Sequence, residues 1–227
     1  MNIIIHGCGG RMGRMLSETI TEQNEHIIAF GIDTENTSGH SYPVYKSLKE
    51  ARGNADVVID FSHHSAIKDL LGWCIINKKP LVIATTNLGE EEHRIIQEAS
   101  KHIPVFQSPN MSLGIHALCK ALPTIIAALG DGFDGGIFEV HHKHKKDVPS
   151  GTAYLLKDAL GVNCHAVSAL RIGSIPGEHR VIFAGPDEVL ELTHTAYSRK
   201  IFALGALSAA AFITGKAPGL YSMDDMV

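Results

Sequence analysis

The chain has 227 residues, 44% hydrophobic and 19% charged, and a formal net charge of −4. That length holds one large domain or two smaller ones, and the slightly acidic balance offers no basic field for nucleic acid or an anionic membrane surface. The first apolar run meets Gly7 too early for a signal peptide, and no apolar run is expected to approach the ~20 residues of a membrane span, so neither nucleic acid nor membrane is an expected partner.

Met1 to His6 reads as a short, continuously apolar strand that runs directly into Gly7-Cys-Gly-Gly-Arg-Met-Gly13. A helix follows, with apolar positions at Met12, Met15, Leu16 and Ile20. Strand, glycine turn and helix form the context in which a glycine fingerprint points to a dinucleotide. Gly7 permits the tight turn, Gly9 lets backbone approach a pyrophosphate, and Gly13 allows close helix–strand packing. The spacing is G-x-G-x-x-x-G with an additional Gly10, and a glycine turn without a ligand is the plainer alternative. His26 to Ile32 is a second strand. Asp33 at its end lies 20 residues past Gly13, where such a fold places the acid that bonds the adenosine ribose.

Asp56 to Phe61, Pro80 to Ala84 and Pro104 to Gln107 read as further buried strands, separated by helices near 65–77 and 89–102. Strands alternating with helices imply right-handed βαβ units and a parallel sheet, with ligands at the carboxyl ends of the strands. Gly7–Gly13, Asp33, Ser62–His64, Thr85–Asn87 and Ser108–Asn110 are all such ends. Ser112 is placed to cap an apolar helix from Leu113 to about Leu129, containing Pro123, before a glycine-rich turn over 130–136. Strand-like segments at 166–173, 180–184 and 189–197 have no helices between them and predict a mixed or antiparallel sheet in a second, α+β domain. Lys200 to Ile213 is a small-residue helix, and the remainder a short tail. Cys8, Cys74, Cys119 and Cys164 are scattered and form no C-x-x-C pair, as expected of reduced thiols in a cytoplasmic protein without a zinc site.

The densest chemistry lies in Glu139-Val-His-His-Lys-His-Lys-Lys-Asp-Val-Pro-Ser-Gly-Thr-Ala153. A strand end at Gly136 to Val140 opens onto His141 to Lys146, six His or Lys residues without a break. Such a run is compatible with a solvated loop. Pro149-Ser150-Gly151-Thr152, however, has the chemistry of a helix start, with free N–H groups and a partial positive charge. Strand end, cationic loop and anion-binding helix start together suit a small substrate carrying carboxylates.

That stretch resembles the signature of the dihydrodipicolinate reductase family. Further segments agree along nearly the whole chain: G-C-G-G-R-M-G, D-F-S, A-T-T-N, S-P-N-M-S-L-G, G-E-H, L-T-H-T-A-Y-S-R and G-L-Y-S-M. The resemblance implies an α/β protein. A Rossmann-type dinucleotide-binding domain over 1–111 plus 199–227 would carry an inserted α+β substrate-binding and oligomerisation domain over 112–198. It implies NAD(P)H-dependent reduction of 4-hydroxy-tetrahydrodipicolinate (dihydrodipicolinate) to tetrahydrodipicolinate, in diaminopimelate and lysine biosynthesis, by a homotetramer. His141 and Lys145 match the family's catalytic pair. His142, Ser150, Gly151 and Thr152 match its substrate-carboxylate contacts. The cofactor-binding set, from the family and the strand ends together, is Gly7, Gly9, Gly10, Arg11, Met12, Gly13, Asp33, Ala84, Thr85, Thr86, Ser108, Asn110 and Met111.

Three departures stand out. Ala84-Thr-Thr-Asn87 replaces the family's Gly-Thr-Thr-Gly, His63 and His64 stand where basic or Pro residues are common, and the segment between Leu160 and Arg171 is short. Asp33 is followed by Thr34, Glu35 and Asn36, none of them cationic, so NADH is expected to be preferred over NADPH. Three other readings stay open: a different Rossmann oxidoreductase acting on an amino or keto acid, a non-catalytic dinucleotide sensor, and a metal module built on His141, His142 and His144. A sensor would need no dense His/Lys site, and adjacent lysines oppose a metal.

Overall fold

A computed structural model describes residues 1–35 and 38–227, so Asn36 falls outside the described residues. In chain order the elements are β1 (Asn2–His6), α1 (Arg11–Gln23), β2 (Ile27–Ile32), β3 (Val44–Tyr45), β4 (Val57–Asp60), α2 (Ile67–Asn77), β5 (Leu81–Ile83), α3 (Glu90–Ala99) and β6 (Pro104–Gln107). They continue with α4 (Leu113–Leu129), β7 (Asp134–His141), α5 (Gly151–Leu160), β8 (Cys164–Arg171), β9 (Gly177–Ala184), β10 (Val189–Ala196), α6 (Lys200–Ile213), β11 (Gly219–Tyr221) and α7 (Met223–Met226). The chain divides into one unit of Met1–Met111 with Lys200–Met226, and a second of Ser112–Arg199 with Val227.

The first unit is built on a seven-stranded sheet in the order β11-β6-β5-β4-β1-β2-β3. Every strand pair in it is parallel. Ile3 to Ile5, Val57 to Ile59 and Leu81 to Ile83 are all fully buried. Parallel strands are covered on both faces, so they read as unbroken apolar runs rather than as alternation. One face packs Ile4, Val58 and Ile83 against Ile67, Leu70 and Cys74 of α2 and Ile96 of α3. The other receives α6, which lies against α1 and strands β4 to β6. The small residues of α6 make that approach possible: a Cβ on Gly205 would come within 1.7 Å of the Met111 carbonyl oxygen.

Two strands were not expected from the sequence. β3 and β11 extend the two edges of the sheet, β11 pairing with β6 out of what reads as a tail. Strands of two and three residues carry no measurable period, and only their neighbours define them.

The second unit is a mixed four-stranded sheet in the order β10-β9-β7-β8. β7 and β8 are parallel, joined through α5, while β9 pairs antiparallel with both β7 and β10. β7 begins at Asp134, inside the stretch expected to be a turn. Gly135 and Gly136 flank a register shift there, and a Cβ on Gly135 would lie 2.3 Å from the Asn163 carbonyl oxygen. Glycine thus marks close backbone approach within a strand.

Ser112 caps α4, its Oγ accepting the Ile115 N–H at 3.3 Å. Leu122 of α4 and Ala153, Leu156 and Leu160 of α5 pack on Ile137, Val181 and Phe183 of the sheet. One expectation fails at α4. Leu113–Gly132 forms a 20-residue helical stretch of mean hydropathy 1.6, long and apolar enough to cross a membrane by length and composition. Leu122 is fully buried and Leu118, Cys119, Ile125, Ile126 and Leu129 are partly buried against the core of this unit, while only 17% of the apolar window is buried.

Candidate functional site

In the first unit the strand ends form a cradle. Gly7 has φ +80°, and a Cβ there would meet the Phe61 carbonyl carbon at 2.9 Å, so both conformation and space require glycine. A Cβ on Gly13 would lie 2.2 Å from Gly7 O, which fixes how closely α1 sits on β1. Gly10 is the N-cap of α1 and supplies no side-chain cap, leaving the first-turn N–H groups to serve an anion. Asp33 Oδ2 accepts the Gly9 N–H at 2.9 Å and Oδ1 accepts that of Glu35 at 3.0 Å. Arg14 Nε donates to Gly9 O at 2.9 Å and braces the loop. A cavity of about 340 Å³ is lined by His6, Gly7, Gly10, Asp33, Ser62 and His63 among others. Donors, carboxylate and cavity fit a dinucleotide.

The remaining residues of the cofactor set sort by exposure. Arg11 and Thr86 are exposed, Met12 and Asn110 half-buried, and Ala84 and Met111 buried. Ser108 Oγ donates to the Asn110 carbonyl at 2.6 Å and so shapes its own turn. Asn87 adopts φ +59°, the left-handed region; Asn is among the non-glycine residues that tolerate it best, so the Ala-Thr-Thr-Asn variant keeps a turn suited to glycine.

Sequence reasoning missed a buried network beneath this rim. Asp60, fully buried at the end of β4, accepts from His6 Nδ1 at 2.7 Å and Thr85 Oγ1 at 2.6 Å, and from the Ser62 N–H at 3.2 Å. One carboxylate thereby ties together the ends of β1, β4 and β5. The available signal was an acid closing a wholly apolar strand, because a buried carboxylate must be partnered.

In the second unit, strand register assembles the cluster. Glu139 stands opposite His179 of β9, and His141 beside Arg171 of β8. Alternation puts Ile137, Glu139 and His141 on one face of β7, the face that Ile137 shows to be covered by α4 and α5. Glu139 is fully buried. Its Oε1 accepts the Ser150 N–H and Arg171 Nη2, each at 2.8 Å, while His141 Nδ1 lies against Oε2. Burial alone would raise the Glu139 carboxyl, but Arg171, the Ser150 N–H and His141 outweigh it and hold it below the usual carboxylate range. Burial lowers His141, which Glu139 opposes and the charges of Lys145 and Arg171 reinforce. His179 Nε2 lies 3.0 Å from Ser150 Oγ, and burial with the neighbouring His141 pushes it down to about 4.

Ser150 caps α5, its Oγ accepting the Ala153 N–H at 3.2 Å. Gly151 and Thr152 form the first turn of that helix. Lys145 Nζ pairs with Asp147 Oδ2 at 2.8 Å. Burial would raise the Asp147 carboxyl, but Lys145 and backbone N–H groups, that of Gly151 included, hold it low. His142 is half-buried and His144 exposed, their ring centroids 6.4 Å apart. The structure therefore brings His141, Lys145, Ser150, Gly151 and Thr152 together around one strand end and one helix start. It adds Glu139, Arg171 and His179, which the sequence did not single out. Glu139, His141 and His179 each offer a ligand atom within 4.8 Å of the others, but the Arg171 cation on the same carboxylate competes with any metal there.

Residues 1–111 match the family model for the N-terminus of dihydrodipicolinate reductase, and 114–227 that for its C-terminus. The 4-hydroxy-tetrahydrodipicolinate reductase of Caldanaerobacter subterraneus subsp. tengcongensis is 45% identical over 248 aligned positions, covering 100% of this chain and 98% of the relative. That of Clostridium tetani is 41% identical over 247 positions, covering 100% and 97%. In fold, the chain is similar to a dipicolinate-bound dihydrodipicolinate reductase from Paenisporosarcina sp. TG-14, with a TM-score of 0.85 at 19% identity over 100% of this chain and 99% of that one. A probable dehydrogenase from Thermotoga maritima follows with a TM-score of 0.69 at 13% identity over 99% and 92%. Matched in both halves and by relatives along its full length, the chain belongs to the dihydrodipicolinate reductase family and is an oxidoreductase.

Proposed function

We propose that this chain reduces 4-hydroxy-tetrahydrodipicolinate to tetrahydrodipicolinate in the diaminopimelate and lysine pathway, as a cytoplasmic homotetramer that uses NADH in preference to NADPH. The observation that carries the reading is the gathering of His141, Lys145 and the capped start of α5 within one unit. A reduced nicotinamide, when bound, supplies the hydride. The chain's own part is to hold a dicarboxylate and deliver a proton as water leaves the hydroxylated form. Gly151 and Thr152, at the positive end of α5, receive one carboxylate, with His142 beside them and Ser150 fixing the turn. Lys145 brings a cation to the substrate and, with His141, moves the proton. In the first unit, the loop from Gly7 to Gly13 and the α1 N-terminus take the pyrophosphate, Asp33 the ribose hydroxyls, and Ala84 to Thr86 with Ser108 to Met111 the nicotinamide side.

The direct test is NADH consumption by the purified chain, coupled to the upstream synthase so that substrate forms in place. Loss of NADH absorbance that depends on both enzymes is expected. No oxidation at any chain concentration sinks the reading.

A further inference from the structure

We infer that Glu139 is a positioning residue of this site: its buried carboxylate fixes the proton of His141 on Nδ1 and locks that ring to the start of α5. The inference rests on the reductase reading for where substrate lies, but the assignment of the proton rests on geometry alone.

Each oxygen of Glu139 has a separate task. Oε1 takes the Ser150 N–H and Arg171 Nη2, each at 2.8 Å, so the helix cap and β8 are pinned to it. Oε2 faces His141 Nδ1, with His179 Nε2 standing off at 3.9 Å. The contact falls outside hydrogen-bond angles, but a carboxylate oxygen only accepts, and against a bare ring nitrogen it would set lone pair against lone pair, so the nitrogen facing it carries the hydrogen. The other edge of the ring is shaped by an absence. A Cβ on Gly177 would lie 2.9 Å from His141 Nε2, so glycine at this register position avoids a side chain pressed onto that nitrogen. One nitrogen is held by charge and the other is spared a side chain.

Stability does not explain this arrangement. A buried ion pair is often no better than apolar packing of the same volume, because both charges lose water. Two residues earlier on the same face the strand uses Ile137, fully compatible with the core. The charge at 139 is instead matched to an imidazole whose two nitrogens must be told apart, a role that hydrogen-bonded carboxylates serve at histidines generally.

The wild-type chain, with its histidines ¹⁵N-labelled, gives the first test. Near-neutral NMR, with His141 assigned by its loss in His141→Asn, should show Nδ1 protonated and Nε2 bare; the reverse tautomer overturns the inference with no further variant. Glu139→Gln is the second test. Its carbonyl oxygen can still accept from Ser150 and Arg171, but its amide then points a donor at Nδ1 and should drive the proton to Nε2. The expected fall in kcat is on the order of 10²-fold or more, with the KM for NADH nearly unchanged. Glu139→Asp, which keeps the charge, should restore the tautomer and part of kcat. Wild-type kcat in Glu139→Gln overturns the inference. Should Glu139→Gln fail to fold, Gly177→Ala keeps the question open to decision: it should lower kcat with the proton still on Nδ1, and unaltered kcat counts against the inference. Absence of reductase activity in the wild type would refute the proposed function, while the tautomer measurement would still decide this one.

Discussion

Lys145 and His141 are held in opposite ways. Lys145 is a partly exposed ammonium against Asp147, whereas His141 is buried and kept mostly neutral by its surroundings. His141→Ala and Lys145→Ala are each expected to lower kcat by ~10²–10⁴-fold, the usual contribution of an acid–base group. NADH affinity, measured by fluorescence titration, should hardly change. On the proposed reading, Asp33 governs the choice of cofactor. A 2′-phosphate beside its carboxylate would meet a repulsion on the order of 4 kcal/mol at ~4 Å and an effective dielectric of ~20, before counterions reduce it. Asp33→Ala with Thr34→Arg should therefore move kcat/KM toward NADPH; a wild-type preference for NADPH would show that Asp33 does not set the choice. His179, lowered from 6.5 to about 4, gives a stability prediction. The unfolded chain takes up this proton first, so folded stability falls as pH drops from 6.5 toward 4, by up to about 3 kcal/mol. Glu139, held below its unfolded value of 4.5, acts in the same direction further down. Thermal melts between about pH 7 and pH 4.5 should fall less for His179→Gln than for wild type.

At the scale of elements, the glycine loop and α1 form one device, and Gly13 is its hinge pin. Its missing side chain lets the helix N-terminus stand over β1, since a Cβ would lie 2.2 Å from the Gly7 oxygen. Backbone rather than a flexible side chain is in the way, so relief requires moving the helix. Gly13→Ala is expected to weaken NADH binding at least ~10-fold, about 1.4 kcal/mol, measured by titration calorimetry. Unchanged affinity would mean that α1 does not address the pyrophosphate. The start of α5 is organised differently, through Ser150, whose hydroxyl caps the helix and whose N–H reaches Glu139. The sequence announces that start through Pro149-Ser150-Gly151. It does not announce the Glu139 bond, which spans eleven residues and depends on how β7 meets the helix.

For the molecule as a whole, the sheet of the second unit poses the remaining question. One face is covered by α4 and α5, and the other carries Gly136, Phe138, Ala166, Ser168 and Ile182 around a shallow cavity of about 470 Å³. Leu170 and Val189, on the same side by register, are 44% and 61% exposed. The same side also carries Arg180 paired with Glu178 and Glu191, so it is a sheet face of mixed apolar and charged character, and it is the surface on which a proposed tetramer would assemble. Ile182→Glu should place a charge there with little effect on the core, and light scattering at micromolar concentration should then report dissociation. A wild-type chain that is already a stable monomer would remove the tetramer.

What the sequence determined was everything that local chemistry writes down. Unbroken apolar runs marked the parallel strands, glycine spacing and Asp33 pointed to a dinucleotide cradle, and the His/Lys run ending at Pro149-Ser150-Gly151-Thr152 suggested an anion site, with a solvated loop as the plainer alternative. The family's motifs supplied the reaction. Tertiary structure alone decided the rest. β3 and β11 exist only because the sheet edges offer unpaired backbone to two or three residues. Which side of the apolar α4 meets a core, the side of Leu122, Ile125 and Ile126, is likewise set only by folding. Asp60 and Glu139, both fully buried, acquired their meaning from partners 25 and 32 residues away, Thr85 and Arg171. A carboxylate is legible in sequence as a charge, but its task is set by the donors that folding brings to it, and strand register fixes those donors.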